Sequence, residues 1–378
     1  MRFEKLLERH ERGQLTQAEA GEMLGMSERS VRRWQVRYRE EGAAGLVDRR
    51  VGQPSPRRAA ESELARARAL YAEMYDGFTV KHFHEKLVER HGYRLGYTVT
   101  RLALQASGQV RKAPRRGARR RKRPRRPLPG MLLHQDAARH GWLAGRPPLD
   151  LVVTLDDATS RAYSAILVEE EGTASSFRAL AEVVTDHGLF CALYTDRGSH
   201  YFHTPAAGGP VDRGHPTQVG RALAELGIEH VAAYSPQARG RSERAFRTLE
   251  DRLPKELALA GITDIDAANA WLRAVYLPAH NARFAVAAEA AGSAFVPAAP
   301  HQWREVLCLR ETRQVGNDNC VRWRNRRLQI PKSPLRAHFV RATVRLHEYP
   351  DGAVALFWGP HRVADFAPPT SDAQDRAA

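Results

Sequence analysis

The chain has 378 residues, 59 Lys and Arg against 43 Asp and Glu, a formal net charge of +16 and 43% hydrophobic residues. Its length points to two to four domains, and apolar runs far short of about 20 residues exclude a membrane-spanning helix. Cys191, Cys308 and Cys320 are few, odd in number and far apart, which argues against a disulfide framework and a compact cysteine zinc site. The start Met1-Arg-Phe-Glu-Lys lacks the apolar stretch of a secretion signal, so a soluble protein of a reducing compartment is expected.

Residues 1–110 read as mostly helical. Within 1–50, Leu15 to Trp34 follows the grammar of a helix-turn-helix. Thr16 is placed to cap the first helix, with Glu19 completing a capping box, and Gly25 supplies the turn. Ser27 caps the second helix, on which Val31, Trp34 and Tyr38 form an inward stripe. Arg29, Arg32 and Arg33 then face outward, as a recognition helix in a major groove requires. Residues 51–110 read as a second helical, winged-helix-like DNA-binding domain. His82, His84 and His91 have no cysteine nearby and read as helix-surface histidines rather than zinc ligands.

Segment 111–126, RKAPRRGARRRKRPRR, holds eleven bases and no acid. Such a run repels itself, cannot form a core, and releases counterions when it meets phosphates. The linker 111–129 is therefore expected to bind a polyanion, through Arg119, Arg120, Arg121, Lys122 and Arg123 among others.

From 130 the pattern turns to apolar strands. Met131–Asp136, Leu149–Asp157 and Arg161–Val168 read as a three-strand meander, followed by a helix at about 173–187 and the strand Phe190–Asp196. A helix over 217–226, a short strand over 228–233 and a long helix through about 258 complete the order β-β-β-α-β-α-β-α, that of a ribonuclease H-like mixed sheet. Asp136 and Asp196 each end a strand, where a charge has no packing use, and Glu243 lies in the first turns of the long helix. Three carboxylates converging on one sheet edge are hard oxygen ligands for two Mg²⁺ or Mn²⁺ ions, able to drive an in-line phosphoryl displacement. Asp156 and Asp157 rival Asp136 but look like turn formers; Glu250 and Asp251 are backups to Glu243. Arg247, four residues beyond Glu243, reads as an ion-pair partner or a phosphate contact, and Arg239 just ahead of it is a further DNA-contact candidate.

The motifs Tyr194-Thr-Asp-Arg-Gly-Ser, Thr217–Ile228 and Ser235-Pro-Gln-Ala-Arg-Gly-Arg-Ser-Glu243 resemble the integrase core of DDE transposases, nearest to the ISNCY-type insertion-sequence group, relatives of retroviral integrases. The resemblance covers about 130–260 and implies that Asp136, Asp196 and Glu243 bind the catalytic metals. It departs in two places. The interval from Asp196 to Glu243 is longer than in retroviral integrases, with 200–215 as the insertion, and Ala137 stands where relatives usually have Gly. The implied activity is DNA transposition, with double-stranded element ends and target DNA as partners, a homo-multimer on DNA, no membrane, and a cytoplasmic, DNA-associated place in a prokaryote. The alternative is a DNA-binding regulator with an inert core.

Beyond the core, 261–310 is expected as a helical extension and linker, 311–368 as a small β-barrel with Pro350-Asp-Gly as a hairpin turn, and 369–378 as a disordered tail. The four arginines Arg322, Arg324, Arg326 and Arg327 would line a DNA-facing side or a solvated edge. The fold class is thus an α/β multidomain chain: helix-turn-helix domains, a ribonuclease H-like mixed-sheet core, and a small carboxy-terminal β-barrel.

Overall fold

The computed structural model describes residues 2–48, 52, 58–112, 114, 124–206, 209–234 and 240–369. The chain divides into two compact units, Met1–Asp76 with His84–Lys112, and Gly77–Phe83 with Ala113–Ala378.

In the first unit, α1 (Arg2–Glu11), α2 (Gln17–Leu24) and α3 (Glu28–Glu41) form the helix-turn-helix. The Thr16 hydroxyl accepts from Glu19 N while the Glu19 carboxylate accepts from Thr16 N, a complete capping box. Gly25 ends α2 at φ +67°, where a side chain would be strained. On α3, Val31 is buried and Trp34 and Tyr38 are half-buried, as expected, and Gln35 joins them inside, receiving a hydrogen bond from Gln17 Nε2 at 3.3 Å.

Helices α4 (Glu61–Met74), α5 (Val80–His91) and α6 (Tyr97–Ala106) follow. Among the described residues of 58–112 there is no strand, so the helices of a winged helix are present without a wing. His84 Nε2 donates to Leu95 O at 2.9 Å, and His91 Nε2 pairs with Tyr75 Oη at 3.0 Å. These two histidines serve local packing, whereas His82 is fully buried rather than on a helix surface, its Nε2 2.7 Å from Glu256 Oε1.

The second unit is built on β1 (Leu133–His140), β2 (Leu149–Asp156), β3 (Ala162–Val168), β4 (Ala192–Thr195) and β5 (Glu229–Ala232), in the spatial order β3-β2-β1-β4-β5. The first three are antiparallel neighbours; β4 lies parallel to β1, and β5 parallel to β4. This is the mixed sheet of a ribonuclease H-like core. Alternation assigns the faces. Leu151, Val153 and Leu155 pack with Phe246, Leu249, Leu253 and Leu257 of α9 (Gly240–Leu259). Val152 and Ile166 pack on the other side with Ala179 of α7 (Thr173–His187), where Leu133 and Leu193 also meet Val219 and Leu223 of α8 (Gln218–Glu225).

The edge strand β3 is closed by side chains from far along the chain. Asn269, on α10 (Ile265–Trp271), accepts from Leu167 N at 2.7 Å and donates to Leu167 O at 2.9 Å. Asn281, on α11 (Leu277–Phe284), makes the same pair with Ala162 N and O, both at 2.8 Å. Each amide stands in for a neighbouring strand and removes a pairing edge. Asn269→Leu should leave both buried Leu167 groups without partners and lower unfolding stability by about 2–4 kcal/mol, measurable by urea titration; a loss under about 0.5 kcal/mol would refute the edge-closing role.

The carboxy-terminal strands differ from the expected barrel. After α12 (Pro300–Trp303), strands β6 (Leu309–Gln314), β9 (Thr343–Glu348), β10 (Val354–Trp358) and β11 (His361–Phe366) form an open sheet in the order β11-β10-β9-β6, and β7 (Cys320–Trp323) pairs only with β8 (Arg326–Gln329). The barrel is not closed. The hairpin β7–β8 lays Val321, Trp323 and Leu328 on Val344, Leu346, Val354 and Leu356 of the sheet, joining it by apolar packing rather than by a hydrogen-bond ladder. Arg327 pairs with Asp318 and Arg324 with Glu348, both at 3.1 Å, and Arg326 donates to Ala367 O, so three of the four hairpin arginines have partners within the domain. Among the described residues no helix is long and apolar enough to cross a membrane.

Candidate functional site

Asp136 does not end its strand, as the apolar pattern suggested. β1 continues to His140 because β2 pairs with it throughout, from Leu133↔Asp156 to His140↔Leu149. The β1–β4 ladder is shorter, with Leu133↔Leu193 and His134↔Tyr194. That parallel register continued by two residues would bring Asp136 level with Asp196, which lies just past the end of β4. Ala138, two residues from Asp136 and on the same face, packs against the cluster that includes α9, so Asp136 faces the α9 side of the sheet.

Both carboxylates are partly buried. Asp136 Oδ1 accepts from Ala137 N at 3.1 Å, and Asp196 Oδ1 accepts from Gly198 N at 2.8 Å. A Cβ on Gly198 would lie 3.1 Å from that same Asp196 oxygen and 3.2 Å from His200 Cε1, so a side chain there would press on both. Beneath the pair sits the fully buried Tyr201. Its Oη lies 3.1 Å from Gln135 Oε1 and 3.3 Å from Glu171 Oε1, and receives Ser176 Oγ at 3.3 Å. Burial holds its hydroxyl well above the ordinary tyrosine pKa, Glu171 adds to this, and the charges of Asp196 and Asp136 push the same way. One phenol thus feels both acids. Thr195 Oγ1, at the end of β4, donates to Asp196 O and meets His230 Nε2 at 3.0 Å.

The rival acids are occupied with structure. Asp156 accepts from Gly130 N, Thr159 N and Thr159 Oγ1 at 3.1, 2.8 and 2.6 Å, and burial raises its pKa. Asp157 is fully buried and engages Arg241, His134 Nε2 and Arg126 N. Asp251 accepts from Lys255 Nζ and Thr79 Oγ1. Their spacing to Asp136 or Glu243 carried no mark of these roles, and neither Gln135, Glu171 nor Tyr201 stands out in sequence, because each gains its meaning from partners in other elements.

Glu243 is exposed on the first turn of α9. Among the described residues no three His, Cys, Asp or Glu side chains are gathered to hold a metal ion. Three like charges repel when nothing offsets them. The two aspartates alone fit a hard cation: Mg²⁺ is commonly held by one or two carboxylates with waters and substrate phosphates completing the shell.

Of the expected DNA contacts, Arg29, Arg32 and Arg33 are exposed on α3, with Arg32 also donating to Gln17 Oε1. Arg247 is exposed on α9. Arg119, Arg120, Arg121, Lys122, Arg123 and Arg239 lie outside the described residues, as does the tail beyond 369. In the insertion, Asp212 bridges to His203 and accepts from Gly214 N and His215 Nδ1, and Arg197 reaches from beside Asp196 to Gly209 O at 2.7 Å.

A helix-turn-helix domain family matches residues 4–55. The chain is similar to a Sinorhizobium fredii protein described as transposase y4bF, with 33% identity over 93% of this chain and 78% of that one. It is also similar to the transposase for insertion sequence IS1202 of Streptococcus pneumoniae, with 25% identity over 88% of this chain and 78% of that one. Among solved structures, the HTLV-2 integrase catalytic core in complex with magnesium shares 16% identity over 38% of this chain and 86% of its own, at a TM-score of 0.29, a likeness too slight to bear weight. A relative of one-third identity across nearly the whole length, joined to a matching helix-turn-helix, shows that the chain belongs to the family of insertion-sequence transposases.

Proposed function

We propose that this protein binds the ends of a mobile element and catalyses phosphodiester hydrolysis followed by transfer of the freed 3′ hydroxyl into target DNA. The reading is supported by the β1–β4 ladder, Leu133↔Leu193 and His134↔Tyr194, whose parallel register carried two residues further would bring Asp136 and Asp196 level with each other. In it, Asp136, Asp196 and Glu243 hold two Mg²⁺ or Mn²⁺ ions, which when bound activate a water or hydroxyl and offset charge on the leaving oxygen. The chain's own residues do the rest. Gly198 N and Ala137 N orient the two aspartates. Arg29 and Arg33 enter the major groove of the ends, and the basic linker with Arg239 and Arg247 holds phosphates. Both chemical steps are in-line displacements, so one site serves both. Two ends held together call for a homo-multimer, with domains at 1–50, 51–110, 130–260 and 311–368 joined by the linkers between them.

The alternative is a DNA-binding regulator with an inert core. Purified full-length protein with Mn²⁺ and duplex DNA carrying its cognate terminal repeats separates the two. The transposase reading expects nicks at the element's 3′ ends, joined products with target DNA, and no covalent protein–DNA adduct. Tight end binding without any nick would favour the regulator.

A further inference from the structure

Asp157 is a buried charge that the chemistry proposed above does not use. It is fully enclosed, and partners among the described residues come from three separate segments. His134 Nε2, on β1 two residues before Asp136, lies 3.0 Å from Oδ1. Arg241, on the first turn of α9 two residues before Glu243, forms an ion pair with the same oxygen. Arg126 N, at the end of the basic segment, donates to Oδ2 at 2.8 Å, and Arg125 Nη1 donates to the Asp157 carbonyl at 2.8 Å. The His134 ring in turn packs on Tyr194, two residues before Asp196, at 5.1 Å between centroids.

Period-2 alternation makes this arrangement consequential. His134 and Asp136 share one face of β1, and Tyr194, paired with His134 on the neighbouring strand, precedes Asp196 by two residues. A single carboxylate is thereby tied to the strand that bears Asp136, to the helical turn that bears Glu243, and to the segment that leads in from the basic run. A buried carboxylate with such a partner set links the segments that supply the partners, and loss of a cationic partner leaves its charge less compensated in a dry site.

We propose that Asp157 is a positioning residue, latching the first turn of α9, and with it Glu243, to the strand carrying Asp136, and tying the end of the basic segment into the same latch. The proposal rests on the metal-carboxylate reading of Asp136, Asp196 and Glu243, and it is tested by two measurements, one of which needs no catalysis.

In the first, amide hydrogen exchange is followed over residues 244–249 of the full-length protein without metal or DNA; these N–H groups close the first intrahelical bonds of α9. Asp157→Asn is expected to speed their exchange about tenfold or more while leaving α7 unchanged, as for a locally released segment. In the second, single-turnover cleavage with Mn²⁺ is compared across Asp157→Asn, Arg241→Gln, the double variant and Arg241→Lys. Each of the first two should lose on the order of 10²-fold in rate, the scale of a misplaced catalytic group, with end binding kept and a higher Mn²⁺ concentration needed for half-maximal rate. The double variant should be no worse than either single one, because both break one interaction, and Arg241→Lys should recover most of the rate. If Asp157→Asn fails to fold, the Arg241 pair of variants carries the same comparison from the less buried side. Wild-type exchange at 244–249 together with additive rate losses would overturn the latch. Faster exchange in a protein whose wild type never cleaves would instead uphold the latch and remove the catalytic reading beneath it.

Discussion

Asp136→Asn and Asp196→Asn are each expected to lower strand cleavage by about 10³-fold or more while binding to element ends stays within about twofold. The size follows from what a ligand carboxylate supplies: charge that holds divalent ions where the attacking and leaving oxygens need them. Asparagine is the informative replacement because its amide oxygen still accepts from Gly198 N at position 196 or from Ala137 N at position 136, so the local backbone keeps its bonds. The two losses should not add, since either one disables the same unit. Asp156→Asn gives the contrast. Its three hydrogen bonds fasten the β2–β3 turn and Gly130, so it should lower thermal stability with a far smaller effect on rate per folded molecule. Gel-based cleavage and equilibrium binding on the same preparations decide the matter; cleavage surviving in Asp136→Asn would refute the assignment.

The second large effect is loss of stability in acid. Burial pushes His230 down to about 4, helped by Arg213 and His200, and burial pushes His280 down to about 4, helped by Arg252 and Arg283. Both rings are placed to stay neutral: His230 stacks on Phe202 with centroids 4.0 Å apart, and His280 lies between Tyr276 and Phe284. A histidine whose folded pKa lies below its unfolded value binds fewer protons in the native state. Its contribution is therefore full above about pH 6.5 and is lost as pH falls through the window from about 6.5 to 4. At about 1.4 kcal/mol per pKa unit, each ring contributes on the order of 3 kcal/mol across that window. The raised carboxyls of Asp156, Glu182 and Glu348, each held up chiefly by burial, act in the opposite sense, because their native forms take up protons more readily and gain as pH falls. The clean measurement is thus a difference. Denaturant midpoints of wild type and of His230→Gln/His280→Gln, taken from pH 7.5 to 4.5, should converge as pH falls; parallel curves would show that these two rings do not carry the acid sensitivity.

Much of this molecule was legible residue by residue. The capping box at Thr16 and Glu19, the turn at Gly25 and the span 173–187 of α7 are local events: a side chain reaching a backbone group three residues away, or an apolar stripe at helical period. The alternation in 149–156 and 162–168 and the Pro350-Asp-Gly turn belong to the same class, and together they sufficed for the mixed-sheet order. The strands β6 and β11 escaped notice because their sequences, Leu309-Arg-Glu-Thr-Arg-Gln and His361-Arg-Val-Ala-Asp-Phe, are too polar to announce themselves; they are strands because β9 and β10 offer them ladders.

What the linear order determined by itself was therefore the element types, their sequence, and a short roster of acids able to bind cations. Only the tertiary structure decided among those acids. Asp136, Asp156 and Asp157 all sit in or beside apolar strands and look alike locally, yet one is partly buried two residues past the end of the β1–β4 ladder, one fastens a turn, and one is buried with a histidine and arginines from separate segments around it. The amides of Asn269 and Asn281 likewise acquire their work from strands more than a hundred residues earlier. The physical reason is common to all of them: a polar group's role is set by which partner desolvates it, and that partner is chosen by chain folding, not by its neighbours in sequence.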